Sequence, residues 1–171
     1  LNASGQVITQ MVKWGEDASI RAVTDKLTGV YNRRYLESEL DGRFAAAVKS
    51  GAPLVLVMAD MDNFREVNEG YSHEVGDSYI VEVAKVFRET FRKTDIVSRY
   101  GGDEFTILLP DTDLATAMEV NERVRQRVED LDFLKKLDGP ELRTSVSLGL
   151  SCFPATCRTL AELKEQADRA L

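Results

Sequence analysis

The stretch IVSRYGGDEFTILL, residues 96–109, places two glycines and two acids between two hydrophobic runs. Each run has the length and composition of a β-strand, and Gly101-Gly102 is typical of the tight turns that join antiparallel strands. The stretch therefore predicts a β-hairpin, with Asp103 and Glu104 at its tip. One interpretation is an ordinary solvent-exposed turn, in which Gly-Gly supplies the positive φ angles of tight hairpin turns and the two acids are soluble.

The hairpin lies within a chain that alternates between strand-like and helix-like patterns. Residues 54–59 are apolar on both faces and follow Pro53, which predicts a central strand. Spacings of three or four apolar residues predict helices elsewhere. In chain order we predict a helix burying Leu36, Leu40, Phe44 and Val48, the strand 54–59, helices at 64–67 and 77–92, strands at 96–100 and 105–109, a helix burying Leu114, Ala117, Val120, Val124 and Val128, a strand at 144–151 and a helix at 160–171. This order predicts an α/β (α+β) fold, in which helices flank a central mixed, largely antiparallel β-sheet.

Length, charge and cysteine content narrow the function. A chain of 171 residues that is 43% hydrophobic is expected to bury one core rather than two. Its net charge of −7 and lack of a basic run exclude a nucleic-acid surface. Cys152 and Cys157 are expected to be reduced thiols. No apolar run approaches the roughly 18 residues that span a bilayer, so we expect no membrane contact from this segment and a cytoplasmic location, with any tether to the inner membrane supplied by upstream parts.

The N-terminal segment predicts a helix of its own. Val7, Met11, Trp14 and Ala18 recur every three or four positions and form one apolar stripe. Either a partner helix or the body of the domain could cover this stripe, and the sequence leaves both open. We therefore divide the chain into a signalling or linker helix at 1–24 and a single domain at 25–171.

Acidic residues follow the central strand. Asp60 and Asp62 end it, and a carboxylate here, beside the acids of a neighbouring hairpin tip, would supply the oxygen ligands that Mg²⁺ prefers. Taken alone, Asp60 could instead cap a helix. A calcium loop of the EF-hand type is excluded, because Phe64 and Arg65 occupy positions that need an oxygen ligand and a glycine.

Several motifs together resemble one known family, the GGDEF family of diguanylate cyclases, from about Asp25 to Leu171. These motifs occur in the family's order and spacing: Asp25-x-Leu-Thr-Gly-x-x-Asn-Arg-Arg34, Asp60-Met-Asp-x-Phe64, Asn68, His73-x-x-Gly-Asp77, RYGGDEF at 99–105 and Ala167-Asp-x-Ala-Leu171. The resemblance implies a nucleotide-cyclase-like fold and the condensation of two GTP molecules into cyclic di-GMP with release of two pyrophosphates.

The resemblance also implies roles for the acids and glycines. Asp60, Asp103 and the backbone carbonyl of Met61 would hold Mg²⁺, or Mn²⁺ in its place, and Glu104 would serve as a further ligand or as a base. Gly101 and Gly102 would let the turn approach the triphosphate.

Two further sites follow from the resemblance. Asn68 and Asp77 would read guanine, with Phe64, Arg65 and His73 in the same substrate site; a carboxylate can accept from guanine N1–H, which adenine lacks. Without the resemblance, Asn68 could be explained as a helix-capping residue and Asp77 as an acid near the N-terminus of a helix.

The resemblance also implies an inhibitory site for cyclic di-GMP. Arg92 and Asp95 match the family's Arg-x-x-Asp pattern, and Arg123 matches a second arginine of the site. The alternative interpretation is a basic helix end followed by a solvated aspartate.

Some features depart from the family. Ser72 and Glu69 replace a usual Gly and Asp, and the chain stops at Leu171, before the Lys and Arg that grip the terminal phosphates in relatives, so we expect a domain truncated at its C-terminal end. The resemblance implies a homodimer with one half-site per protomer and an upstream sensor in a longer parent. A non-catalytic module that binds cyclic di-GMP or GTP as a receptor is the alternative, and a nucleotide-independent scaffold leaves the co-occurring acids unexplained.

Overall fold

A mixed β-sheet with helices on both faces organises the structure, a computed structural model that describes residues 19–20 and 22–171. The strands are β1 (Tyr31–Asn32), β2 (Leu54–Asp62), β3 (Ile96–Arg99), β4 (Glu104–Pro110) and β5 (Ser145–Phe153). The helices are α1 (Arg33–Ser50), α2 (Phe64–Gly70), α3 (His73–Thr90), α4 (Leu114–Glu129) and α5 (Leu160–Ala170), with a 3₁₀ turn at Leu134–Lys136. The five strands run in the order β1-β3-β4-β2-β5, and only the β1–β3 pair is parallel. The predicted mixed, largely antiparallel sheet is confirmed.

Alternation along β2 divides the core into two layers. Val55 and Val57 point toward α3 and α4, whereas Leu54 and Leu56 point toward α1 and α5. Because β2 has a hydrogen-bonded neighbour on each side and a helical layer on each face, the side chains of residues 54–57 are at most 1% exposed. Burial of each such side chain contributes about 1.5 to 3 kcal/mol.

Side-chain caps fix where four of the helices begin. The capping residues are Asn32 for α1, Ser72 for α3, Asp113 for α4 and Thr159 for α5, and each side chain accepts a hydrogen bond from a backbone N–H of the first turn. Ser72 has φ −170°, which is extended backbone, so a serine at the position of the family's usual glycine causes no strain. Helix α2 lacks such a cap, because the side chain of Asn63 makes no capping bond.

The structure corrects several sequence predictions. Val48 is 51% exposed and Ala47 is buried in its place. The short strand β1 and the 3₁₀ turn were not predicted. The capping role considered for Asp60 is wrong, because β2 continues through this residue to Asp62.

Both cysteines are free, as predicted, and both are buried. Cys152 packs with the α3–α4 layer and Cys157 with the α1–α5 layer, and burial raises the pKa of each thiol above its usual value. The predicted N-terminal helix stripe from Val7 to Ala18 lies outside the described residues. No helix in the described part of the chain is both long and apolar enough to cross a membrane.

Candidate functional site

The hairpin turn between β3 and β4 is closed by backbone hydrogen bonds. Arg99 pairs with Phe105, and the N–H groups of Tyr100 and Gly101 both donate to the Glu104 carbonyl, at 2.8 and 3.2 Å. In the described chain the glycines with positive φ are Gly29 and Gly51, so neither turn glycine has the positive φ angle of an ordinary tight Gly-Gly turn. The register of the strands closes this turn without left-handed backbone.

A partly buried arginine holds the turn from one side. The guanidinium of Arg99 donates twice to the Gly102 carbonyl, from Nε at 3.0 Å and Nη2 at 2.7 Å, and its Nη1 lies 3.3 Å from Asp25 Oδ1. Asp25 Oδ1 also accepts from the N–H and the hydroxyl of Thr28, at 2.9 and 2.7 Å. Burial pushes the pKa of Asp25 up, but the Thr28 hydrogen bonds and the Arg99 charge outweigh it and lower the pKa below its usual value. Sequence reasoning missed this contact between the lead-in segment and the turn.

The strand-end acid and the turn acids lie together at the end of β2. Asp60 is the partner of Glu104 in the β2–β4 register, and the Met61 N–H donates to the Asp103 carbonyl at 3.2 Å. By the alternation of β2, Asp60 points to the α1–α5 face, and its register partner Glu104 shares that face. Burial raises the pKa of Asp60, and the carboxylates of Asp103, Glu104 and Asp62 raise it further.

This cluster can be tested as a cation site. The described residues contain no group of three or more His, Cys, Asp or Glu side chains arranged to hold a metal ion. Mg²⁺ usually takes one or two carboxylates and completes its shell with water and substrate phosphates. The donor set of Asp60, Asp103 and a strand-end carbonyl fits that demand. Beyond the effect of burial, the neighbouring carboxylates raise the pKa of Asp60 because they repel one another, and a bound cation would reduce this repulsion. In an antiparallel strand the N–H and C=O of one residue face the same neighbour, so the Met61 carbonyl also faces the turn.

The two turn glycines have different surroundings. A Cβ on Gly101 would overlap the carboxylate of Glu104, which is folded back over the turn. A Cβ on Gly102 would meet no atom within 4 Å, so the space above this residue is open. Only Gly102 therefore leaves room for a ligand to approach the backbone.

A cavity of about 330 Å³ adjoins the turn on the α5 side. Tyr100 and Glu104 line it from the hairpin, and Lys164 and Asp168 line it from α5. The guanidinium of Arg33 lies 4.3 Å from the centre of the Tyr100 ring. Lys164 and Arg33 place positive charge beside the acids, and neither was predicted as a site residue.

The predicted guanine readers lie together at the α2–α3 junction. Asn68 is in the last turn of α2, and its amide packs against Gly76, where a Cβ would overlap Asn68 Oδ1. The Phe64 ring lies on the same side, 3.3 Å from the position of that Cβ. Asp77 follows Gly76 directly and is exposed. Gly76 was not predicted as a site residue, although it is what allows Asn68 to lie close to Asp77.

The other predicted substrate residues point to solvent. Arg65 is exposed on α2 and pairs with Glu69 at 2.7 Å. His73 begins α3 and is exposed. Neither contacts the acids of the turn among the described hydrogen bonds and ion pairs.

Arg92 and Asp95 line a second cavity, of about 460 Å³, at the opposite end of β3 from the turn. Asp95 is only 8% exposed, so the alternative of a solvated aspartate is wrong. Its Oδ2 accepts from the Arg92 N–H at 2.7 Å, whereas its Oδ1 is buried without a hydrogen-bond partner. Burial raises the pKa of Asp95, and the Arg92 hydrogen bond and charge offset this only in part. Arg123 is exposed on α4 and is not among the residues that line the cavity.

Comparison with known proteins gives a consistent result. Residues 22–171 match the family described as "Diguanylate cyclase, GGDEF domain". The chain is 35% identical over 150 residues to the response regulator PleD of Caulobacter vibrioides, covering 88% of this chain and 33% of PleD. It is 35% identical over 153 residues to the diguanylate cyclase DosC of Escherichia coli, covering 89% of this chain and 33% of DosC. The chain thus spans about a third of the length of these relatives.

Two solved structures have the same fold. The diguanylate cyclase SiaD of Pseudomonas aeruginosa, solved with its activator SiaC, matches with a TM-score of 0.80 and 32% identity over 98% of this chain and 63% of that one. The coiled coil and GGDEF domain of DgcB of Caulobacter crescentus, solved with c-di-GMP, matches with a TM-score of 0.86 and 26% identity over 98% of this chain and 87% of that one.

Proposed function

Because the chain belongs to the GGDEF domain family of diguanylate cyclases, we propose that it condenses two GTP molecules into cyclic di-GMP and releases two pyrophosphates. The observation that carries the proposal is the meeting of Asp60 with the turn acids at the end of β2, next to a turn whose Gly102 faces open space. That arrangement offers carboxylates for a cation and a backbone that phosphates can approach.

In the proposed reaction, the 3′-hydroxyl oxygen of one GTP forms a bond to the α-phosphorus of the other, and the bond to pyrophosphate breaks. Asp60, Asp103 and the Met61 carbonyl would hold Mg²⁺, which neutralises charge growing on the phosphates and lowers the pKa of the hydroxyl. Glu104 would add a ligand or take the hydroxyl proton. Asn68 and Asp77 would bind the guanine edge, because the Asp77 carboxylate can accept from N1–H and the exocyclic amine.

One protomer supplies one set of these groups, so we propose that two protomers face each other with one GTP each. An upstream sensor in a longer parent would then act by aligning the two half-sites. The solved complex of SiaD with its activator SiaC shows that a related cyclase binds an activator, which supports control by a partner.

Binding of the product at Arg92 and Asp95 is proposed as feedback inhibition. Asp95 Oδ1 is buried and lacks a hydrogen-bond partner, so in this proposal the bound dinucleotide uncovers it and supplies a guanine N–H, while Arg92 on the same cavity donates to guanine or phosphate oxygens. The DgcB structure was solved with c-di-GMP, which supports a dinucleotide ligand for this fold. Arg123 would contribute only through a change of conformation, because it does not line the cavity.

The direct test is incubation of the protein with GTP and Mg²⁺, followed by chromatography for cyclic di-GMP and an assay for pyrophosphate. We expect both products from the wild-type chain and a loss of about a thousandfold for Asp103→Asn, because a metal-binding carboxylate supports several kcal/mol of transition-state stabilisation. Binding of cyclic di-GMP without turnover by the wild type would favour the receptor alternative instead.

A further inference from the structure

Helix α2, which carries Asn68, is weakly held by its own sequence. It spans Phe64–Gly70, only seven residues, and Val67 is its one fully buried side chain. A helix of this length is marginal in water without tertiary contacts. Asn63, the residue that precedes the helix, has φ 58° and makes no side-chain capping bond. The position of α2 must therefore come from contacts outside the helix.

The connection between α4 and β5, residues 131–144, contacts both ends of this helix. At the start of α2, Asn63 Nδ2 donates to the Arg143 carbonyl at 2.9 Å. At the end of α2, the Tyr71 hydroxyl donates to the Pro140 carbonyl at 2.7 Å. The Asn63 side chain, which makes no capping bond to α2, thus binds the connection instead.

Shape complementarity reinforces these two hydrogen bonds. A Cβ on Gly139 would overlap the Tyr71 ring, and a Cβ on Gly70 would lie 2.7 Å from the Pro140 ring. The dipeptides Gly70-Tyr71 and Gly139-Pro140 therefore pack with each glycine against the ring of the opposite pair. The Tyr79 hydroxyl, 2.7 Å from Thr144 Oγ1, fastens the end of the connection to α3.

We infer that the 131–144 connection positions α2 for nucleotide binding, with Tyr71 and Asn63 as the positioning residues. Asn68 lies three residues before Tyr71, so movement of the C-terminal end of α2 moves its amide directly. The inference rests on the proposed function, in which Asn68 binds guanine. Neither positioning residue touches the substrate in this account; both act through α2. Loosening the connection should weaken binding of GTP and leave the chemical step nearly unchanged.

The test compares Tyr71→Phe and Asn63→Gly with the wild type. Phenylalanine keeps the ring over Gly139 and removes only the hydroxyl, and glycine tolerates φ 58° while removing the amide. Without nucleotide, we expect hydrogen–deuterium exchange of the α2 amides to become about fivefold faster in each variant, the effect of losing one hydrogen bond. With GTP, we expect KM to rise about fivefold while kcat stays within about twofold.

Tyr35→Phe is the matched control, because it removes a tyrosine hydroxyl from α1, away from the connection. Exchange of α2 and KM should both stay at the wild-type value in this variant. Unchanged α2 exchange in both test variants would overturn the inference, as would faster exchange with an unchanged KM. A wild type that consumes no GTP would count against the proposed function alone, since the exchange experiment still reports whether the connection holds α2.

Discussion

The hairpin turn between β3 and β4 and helix α2 carry the two halves of the proposed site, and they are held in different ways. The turn is fixed by backbone register and by Arg99, whose guanidinium makes two hydrogen bonds to the Gly102 carbonyl. Helix α2 has no side-chain cap, and two side chains, Asn63 and Tyr71, bond its ends to a loop. The sheet and the turn fix the positions of the acids, whereas Asn68, the proposed guanine-binding residue, depends on side-chain contacts that can loosen.

This difference has a functional consequence. Preorganised charges stabilise a transition state without having to reorganise during the reaction. A less firmly held recognition element can admit the base and close on it. Changes at the turn should therefore reduce kcat, and changes at α2 should raise KM.

The largest effect is expected from Gly102→Val. A side chain here would occupy the open space above the turn, where the proposed phosphates approach, and would meet no protein atom at its Cβ. We expect turnover of GTP to fall below detection, a loss of more than about a thousandfold, with unchanged thermal stability. Gly42→Val, at another glycine with open space in α1, is the control and should keep full activity. Normal turnover by Gly102→Val would remove the turn from the substrate site.

A smaller loss of activity is expected from Arg99→Lys, which tests whether the hydrogen bonds of Arg99 to the turn support kcat. A lysine ammonium keeps the charge but cannot reproduce the guanidinium fork that reaches both Gly102 and Asp25. We expect kcat to fall about tenfold with KM within about twofold, measured by initial rates of pyrophosphate release. Arg43→Lys, in an exposed pair with Glu39 on α1, is the matched control. An increase in KM without a loss of kcat would contradict the proposal that the turn supports kcat and α2 supports substrate binding.

The matching change on the side of α2 is Gly76→Ala. The new methyl group would overlap Asn68 Oδ1 and displace that amide. We expect KM for GTP to rise about fivefold and kcat to change less than about twofold. The fold should not be weakened, because alanine favours a helix over glycine by about 1 kcal/mol. Gly42→Ala controls for that propensity, and a Gly76→Ala variant with wild-type KM would show that Asn68 does not read the base from this position.

The sequence predicted the sheet and the meeting of its acids for identifiable reasons. Short apolar runs bounded by Pro53, Gly101-Gly102 and Pro110 locate β2 and the hairpin strands, and once these strands pair, Asp60 must lie near the turn. The same patterns do not report how far a side chain reaches, so the Arg99 contact with Asp25 was missed. Strand β1 has only two residues, too few to show a period, and its pairing with β3 depends on tertiary structure.

The turn glycines show a different limit of sequence-based prediction. A Gly-Gly pair fits a left-handed turn, but it also fits a site where bulk is excluded, and the sequence does not separate the two. The structure favours the second, with Glu104 folded over Gly101 and open space above Gly102. The positive φ angles of an ordinary tight turn are therefore absent, and the predicted location of the two glycines at the hairpin tip is confirmed.

The smallest expected effect is a change in the stability of the fold on Asp60→Asn. It tests whether repulsion among the acids at the end of β2 destabilises the folded protein. Burial and the neighbouring acids raise the pKa of Asp60 in the folded state, so folding favours its protonated form. The contribution of this group to stability is therefore present at low pH and is lost as pH rises through the raised pKa. Without Mg²⁺ at pH 7, we expect Asp60→Asn to raise Tm by about 2 to 4 °C, and at pH 3 we expect the difference to vanish. Thermal unfolding at the two pH values, together with Asp41→Asn on the exposed face of α1 as a control, measures this. A Tm at pH 7 that is lower in Asp60→Asn than in the wild type would mean that the Asp60 carboxylate stabilises the fold. Repulsion among the acids at the end of β2 would then not destabilise the protein, and there would be no such repulsion for a cation to relieve.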